Sequence, residues 1–228
     1  MTGRVDVPRL RALCFDLDGT LLDTDDAYVE LVVARLRPLR RLFPARVAAR
    51  WARRLILAAE APANLLIGLP DRLGLDDWLG PLLVRKVPRD ELKYRFRLVP
   101  GVEHALRRLQ KLYPLALVSV REAGPVEALL DAFDLRPFFR CVAAARTVRR
   151  TKPDPAPIRW AAQQMGVPPE ACLMVGDTPV DIRAGRAAGA QTTGVLCGFG
   201  EREELERAGA DVILETTADL ADRLLGPS

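Results

Sequence analysis

Asp16 and Asp18 stand two residues apart at the end of the apolar run Leu13-Cys14-Phe15, just before Gly19. On a strand, side chains at i and i+2 leave the same face, so both carboxylates can converge where the strand ends. Two like charges held that close repel, and the usual remedies are a bound cation or a shared proton. An ionised carboxylate left over can then act as a nucleophile. The pair therefore asks for Mg²⁺ and for chemistry on an electrophile. A second acidic pair, Asp177 and Asp181, follows another apolar run, Cys172-Leu173-Met174-Val175, and brackets Pro179. If a helix begins near Pro179, Asp181 falls in its first turn and Asp177 near its cap, on the same side. Between the two pairs lies Lys152, the only lysine after Lys111 in a chain that otherwise uses arginine there. A compact ammonium among prolines suits a fixed point charge beside a phosphate and a carboxylate.

These residues need a scaffold, and the pattern from Val99 onward supplies one. Helices are predicted at 102–112, 125–133, 156–165 and 179–188, with strands at 115–120, 140–144, 171–175, 191–196 and 211–214 and a last helix at the C-terminus. Strands alternating with helices predict an α/β fold with a doubly wound parallel sheet. Ligands of such sheets bind at the carboxyl ends of the strands, where Asp16, Ser119 and Asp177 are placed. Residues 24–97 break the alternation: they read as helical with many prolines, a small helical domain inserted after the first strand. The expected division is a core of 1–23 and 98–228 and an inserted domain of 24–97.

Asp16-Leu17-Asp18-Gly19-Thr20, Ser119, Lys152 and Gly176-Asp177-Thr178-Pro179-Val180-Asp181 resemble, in order and spacing, the four motifs of the haloacid dehalogenase superfamily in its phosphatase branch. The continuation from Asp18 to Thr24 is similar to that of phosphoglycolate-phosphatase-like enzymes. The resemblance implies a Mg²⁺-dependent phosphatase that hydrolyses a small phosphomonoester through an aspartyl-phosphate, with 24–97 as its helical cap, a lid hinged near Thr24 and Val99. It implies Asp16 as the nucleophile, Asp18 as the acid and base, and Lys152 as the cation beside the phosphoryl group. Asp16, the backbone carbonyl of Asp18, Asp177 and Asp181 would hold Mg²⁺, with Asp181 either a ligand or a support for one. Thr20, Ser119, Val120 and Arg121 would meet the substrate. Val120 departs from the asparagine often found one position after the Ser or Thr, and Arg121 is expected to compensate by facing the phosphate.

Asp18 argues against a halide-displacing enzyme, which needs no leaving-group acid. A sugar phosphomutase shares every core motif and stays open as an alternative, as does a phosphate-dependent binding module without catalysis. Asp23 and Asp25 read as caps of the first helix of the lid, and His104, the only histidine, as a surface or packing residue.

Composition sets further limits. The 228 residues are 49% hydrophobic, with a net charge of +4, which is modest for a nucleic-acid partner. Residues 31–59 carry eight arginines and no acid, a basic stretch suited to a solvated face, to an anionic substrate or to peripheral contact with anionic lipid. Cys14, Cys141, Cys172 and Cys197 are widely spaced, which suits reduced thiols better than a disulfide or zinc site. The polar first ten residues lack an apolar signal core and no run is long enough to span a membrane, so a cytoplasmic protein is expected.

Overall fold

The computed structural model describes residues 4–23, 90, 92–93 and 96–227. The chain divides into two compact units, one of Met1–Thr24 with Arg89–Ser228 and one of Asp25–Pro88. The arginine-rich stretch and residues 25–88 of the expected lid fall in the second unit, outside the described residues.

The first unit is built on six strands: β1 (Ala12–Phe15), β4 (Leu115–Val118), β5 (Phe139–Ala143), β6 (Cys172–Gly176), β7 (Gln191–Val195) and β8 (Val212–Leu214). They form one sheet in the order β5-β4-β1-β6-β7-β8, every pairing parallel. The doubly wound α/β expectation is met. The winding reverses at β1: β4 and β5 extend the sheet to one side, β6, β7 and β8 to the other, and in sheets of this topology ligands bind at the carboxyl ends of the strands beside the reversal.

Burial on both faces explains why these strands read as unbroken apolar runs. Side chains alternate between the faces. Leu13, Phe15, Leu115, Leu117, Leu173 and Val175 face a layer that includes Leu106 of α1 (Val102–Leu109), Leu129 of α2 (Ala123–Ala132) and Leu220 of α6 (Asp219–Leu225). Ala12, Cys14, Ala116, Val118 and Met174 face Ile158 and Ala162 of α3 (Ala156–Met165) and Ala184 of α4 (Pro179–Ala188). The second face carries smaller side chains, which lets α4 approach closely: a Cβ on Gly185 would lie 2.6 Å from Thr192 Cγ2 and 2.9 Å from Met174 Cβ. Phe15, wholly buried and edge-on to Phe139, alone withdraws enough surface to be worth about 3 kcal/mol.

One α-helix and one short strand pair went unpredicted. The helix α5 (Arg202–Ala208) is charged along most of its length, and only Leu205 is buried in it, so no apolar stripe marks it. A two-residue pair, β2 (Leu22–Asp23) antiparallel to β3 (Arg97–Leu98), is too short for any periodicity. It places Asp23 opposite Arg97 in a strand; the lid helix that Asp23 and Asp25 are expected to cap lies outside the described residues. The pairing ties together the two chain segments that flank 24–96. His104 is exposed on α1, and the four cysteines are free thiols, with Cys14, Cys141 and Cys172 buried. Among the described residues no helix is long and apolar enough to cross a membrane.

Candidate active site

The ends of β1, β4 and β6 assemble the site because each strand delivers its polar residue just past its last apolar one. Asp16 continues β1 by one residue, its N–H donating to the Val175 carbonyl at 2.9 Å. Ser119 continues β4 in the same way on the Ala143 carbonyl at 2.8 Å. After Asp16 the chain turns back at once. Gly19, with φ of +72°, donates its N–H to the Leu22 carbonyl, and Leu21 and Leu22 both donate to the Leu17 carbonyl. Glycine is required at that φ, and its bare Cα is also needed for space, since a Cβ would sit 2.3 Å from Asp177 Oδ2.

Asp177 ends β6 and is fully buried, accepting from the Thr20 hydroxyl (3.1 Å) and the Phe199 N–H (2.8 Å). Next, Thr178 caps α4. Its N–H donates to Asp181 Oδ2 at 3.1 Å, the carboxylate half of a capping box, and its hydroxyl donates to the same oxygen at 2.7 Å. The other Asp181 oxygen accepts from Lys152.

Lys152 is 3% exposed and spans the centre of the site, its Nζ 2.6 Å from Asp16 Oδ1 and 2.6 Å from Asp181 Oδ1. Burial alone would lower this ammonium's pKa, but the two carboxylates outweigh it and hold the group well above the ordinary lysine range. Asp16, Asp177 and Asp181 place carboxylate oxygens within 4.8 Å of one another. One ammonium among three carboxylates leaves an excess of two negative charges. Accordingly burial, with Asp181 and Asp18, pushes Asp16 up to about 8 against the pull of Lys152. Burial, with Asp181 and Asp16, pushes Asp177 up as well, and among the described residues no cation pairs with it. A hard divalent cation fits this donor set in ligand type and in charge.

Asp18 stands apart from the three. Its carboxylate is gripped bidentately by Arg121, Nε to Oδ2 at 2.5 Å and NH2 to Oδ1 at 2.6 Å, with the guanidinium 5.5 Å above the Phe96 ring. The Arg121 N–H also donates to Ser119 Oγ at 3.1 Å, which leaves the Ser119 hydroxyl hydrogen free to point elsewhere.

The structure thus gathers Asp16, Lys152, Asp177 and Asp181 into one cluster, with Ser119 at the neighbouring strand end. Two residues expected at the substrate are engaged with carboxylates of the protein. The Thr20 side chain is fully buried and its hydroxyl donates to Asp177, where it positions a carboxylate. The Arg121 guanidinium is engaged with Asp18. Val120 is half-buried and contributes no polar side chain. Three contributors were missed: Phe199, whose N–H holds Asp177, and Gly198 and Gly200, which admit it. A Cβ on Gly198 would lie 2.2 Å from Asp177 Oδ2, and one on Gly200 1.8 Å from the Asp177 carbonyl oxygen. The available signal was the Gly198-Phe199-Gly200 run itself, since glycines flanking one residue after a strand mark close backbone approach.

The chain matches the family model of the haloacid dehalogenase-like hydrolases over residues 10–189. A phosphoglycolate phosphatase from Pseudomonas savastanoi pv. phaseolicola is 32% identical to it, the match covering 92% of this chain and 77% of the relative. Among solved structures, a proposed phosphoglycolate phosphatase from Lactobacillus plantarum superposes with a TM-score of 0.71 at 18% identity, covering 94% of this chain and 99% of that one. A proposed β-phosphoglucomutase from Thermotoga maritima gives 0.63 at 23% identity, covering 94% and 98%. At those identities the solved structures establish a shared fold only.

Proposed function

This chain belongs to the haloacid dehalogenase-like hydrolases and is an enzyme of that family, and from that premise we propose that it is a Mg²⁺-dependent phosphatase acting on a small phosphomonoester through an aspartyl-phosphate. The observation that carries the reading is the buried cluster of Asp16, Asp177 and Asp181 around Lys152 at the strand ends. A similar protein at 32% identity is a phosphoglycolate phosphatase, which supports a small organic phosphate as the substrate class.

Asp16, with one oxygen on Lys152, keeps its other oxygen for in-line attack on phosphorus. The P–O bond to the leaving group breaks as the bond to Asp16 forms, and one hard hydrolysis is split into two easier steps. Asp18 gives a proton to the leaving oxygen, then takes one from the water that attacks the aspartyl-phosphate. Ser119 and Lys152 donate to the phosphoryl oxygens, where negative charge is spread in the transition state. Asp16, Asp177 and the Asp18 carbonyl would hold Mg²⁺, with Asp181 acting chiefly through Lys152 and the capping box. When bound, the ion neutralises the excess carboxylate charge and polarises a phosphoryl oxygen.

Hydrolysis of p-nitrophenyl phosphate and of a panel of small phosphate esters, with and without Mg²⁺, tests the reading on the wild type and Asp16→Asn. Mg²⁺-dependent phosphate release that vanishes in a folded Asp16→Asn protein is expected. Equal rates in the two proteins would sink the nucleophile assignment. A phosphomutase would instead require a sugar phosphate acceptor and release little inorganic phosphate without one.

A further inference from the structure

The turn that follows Asp16 is held from far along the chain. Thr217, in the segment leading into α6, donates its hydroxyl to the Thr20 carbonyl at 2.6 Å across 197 positions. Cys197, just past β7, donates its thiol hydrogen to the neighbouring Gly19 carbonyl at 3.4 Å, and the two side chains meet, Sγ to Oγ1 at 3.6 Å. Thr20 is fully buried and Thr217 is 1% exposed. Among the described residues no backbone N–H reaches the Thr20 carbonyl, so the Thr217 hydroxyl is what satisfies it. A buried acceptor with its hydrogen bond unmade is costly, and a peptide in a turn can relieve that cost by rotating toward another donor. Here rotation would reach the site, since the Thr20 hydroxyl holds Asp177 Oδ1 at 3.1 Å and moves with its own peptide. The other Asp177 oxygen takes the Phe199 N–H at 2.8 Å. Both oxygens of that carboxylate are therefore supported, directly or through Thr20, from the stretch 197–217.

We propose that Thr217 is a positioning residue for the cation site, acting on Asp177 through Thr20. Its hydroxyl fixes the Thr20 peptide, the fixed peptide aims the Thr20 hydroxyl, and that hydroxyl sets the Asp177 carboxylate at the orientation a cation needs. Cys197 is a second, weaker tether on the same turn, because a thiol is a poor donor. The Asp18 carbonyl belongs to the peptide that enters Gly19, so the two tethers steady that oxygen as well. Partners that orient a ligating group change metal affinity although they never touch the ion. The inference rests on the reading of Asp16, Asp177 and Asp181 as a cation site, and it is measured by binding, without turnover. A residue that only anchored the start of α6 would lower stability and leave the cation affinity of the folded protein unchanged.

Mn²⁺ is the probe, a hard cation that takes the same oxygen donors and whose free form is counted by electron paramagnetic resonance. The full-length wild type, Thr217→Val, Thr217→Ser, Thr20→Val and Thr20→Val/Thr217→Val are titrated without substrate, each shown to be folded by circular dichroism. Thr217→Val keeps the shape of the side chain and loses the hydroxyl, and its dissociation constant is expected to rise about tenfold, the low end for a support one step removed from the ligand. Thr217→Ser restores the donor and is expected to recover the wild-type constant. In the Thr20→Val background, Thr217→Val is expected to add little, because the link it acts through is already gone. Equal constants in the wild type and Thr217→Val overturn the inference, and so does a loss of the same size with and without the Thr20 hydroxyl. Should Thr217→Val fail to fold, Thr217→Cys keeps a weak donor; a constant between those of the wild type and Thr20→Val upholds the inference and a wild-type constant overturns it. A wild type that takes up no Mn²⁺ overturns the cation site itself, and this inference with it.

Discussion

Raising the pH of the metal-free protein is expected to weaken its fold, and Mg²⁺ is expected to reverse the loss. The cause is the charge imbalance at Asp16, Asp177, Asp181 and Lys152. Asp16 is lifted from 3.8 to about 8 in the folded protein, by burial first, and Asp177 is lifted too. The buried cluster therefore keeps a proton that the unfolded chain has released above about pH 4. Where the folded state binds the extra proton, stability falls as pH rises, by about 1.4 kcal/mol for each pH step, until the folded group itself ionises near 8. Lys152 does not offset this slope, because its raised pKa leaves it an ammonium in both states across the same range. The loss between roughly pH 5.5 and pH 7.5 is then about 3 kcal/mol, shared by the interacting carboxylates as one titration. With a urea m-value of about 3 kcal/mol/M, that is a drop of about 1 M in the unfolding midpoint. The assay is urea unfolding in EDTA and in Mg²⁺ at several pH values, followed by far-UV circular dichroism. In Mg²⁺ the ionised carboxylates are compensated, so the midpoint holds nearly level. A metal-free midpoint that is flat or rises over this range would refute the reasoning, as would a midpoint at pH 7.5 that Mg²⁺ does not move.

Gly198→Ala drives a methyl group to 2.2 Å from Asp177 Oδ2, so it should turn that carboxylate aside and raise the Mg²⁺ concentration needed for half-maximal activity at least about tenfold, as disturbed ligand supports do; a metal titration of the variant checks this. Thr178→Ala removes the hydroxyl that reaches Asp181 Oδ2, and the lost cap should cost about 1 kcal/mol in urea unfolding. Because Asp181 also holds Lys152, the same variant should lower kcat for p-nitrophenyl phosphate more than it raises KM.

How much was legible in the sequence follows from the range over which each interaction acts. The strands of the parallel sheet were readable because burial on both faces leaves apolar runs, and α3 (Ala156–Met165) and α4 (Pro179–Ala188) were placed to the residue because a proline opens each and a glycine closes each. Asp16, Lys152, Asp177 and Asp181 were readable as candidates because strand ends and one helix start fix where their side chains go. The α5 helix was not, since Leu205 alone anchors it, and neither was the pairing of β2 with β3, whose two residues carry no period. Side-chain partners across the sheet were the least accessible. Thr20 and Asp177 lie 157 positions apart and Arg121 and Asp18 lie 103 apart, and no local pattern tells a hydroxyl or a guanidinium to serve a carboxylate instead of a substrate.

That last distinction bears on how the site works. Sequence reading treats each polar residue near a strand end as a contact for something external, yet a buried site must first satisfy its own charges. Lys152 balances one carboxylate, Thr20, Phe199 and Thr178 hold two others, and Arg121 occupies Asp18. The two negative charges left over are the ones that a divalent cation would answer. A variant with Lys152→Met would test the same accounting from the opposite direction. With the ammonium gone, the carboxylates retain another proton or demand more cation, so the dependence of stability on Mg²⁺ at neutral pH should steepen. A Lys152→Met protein whose unfolding midpoint responds to Mg²⁺ no more than the wild type would show that Lys152 and the cation do not share the same charges.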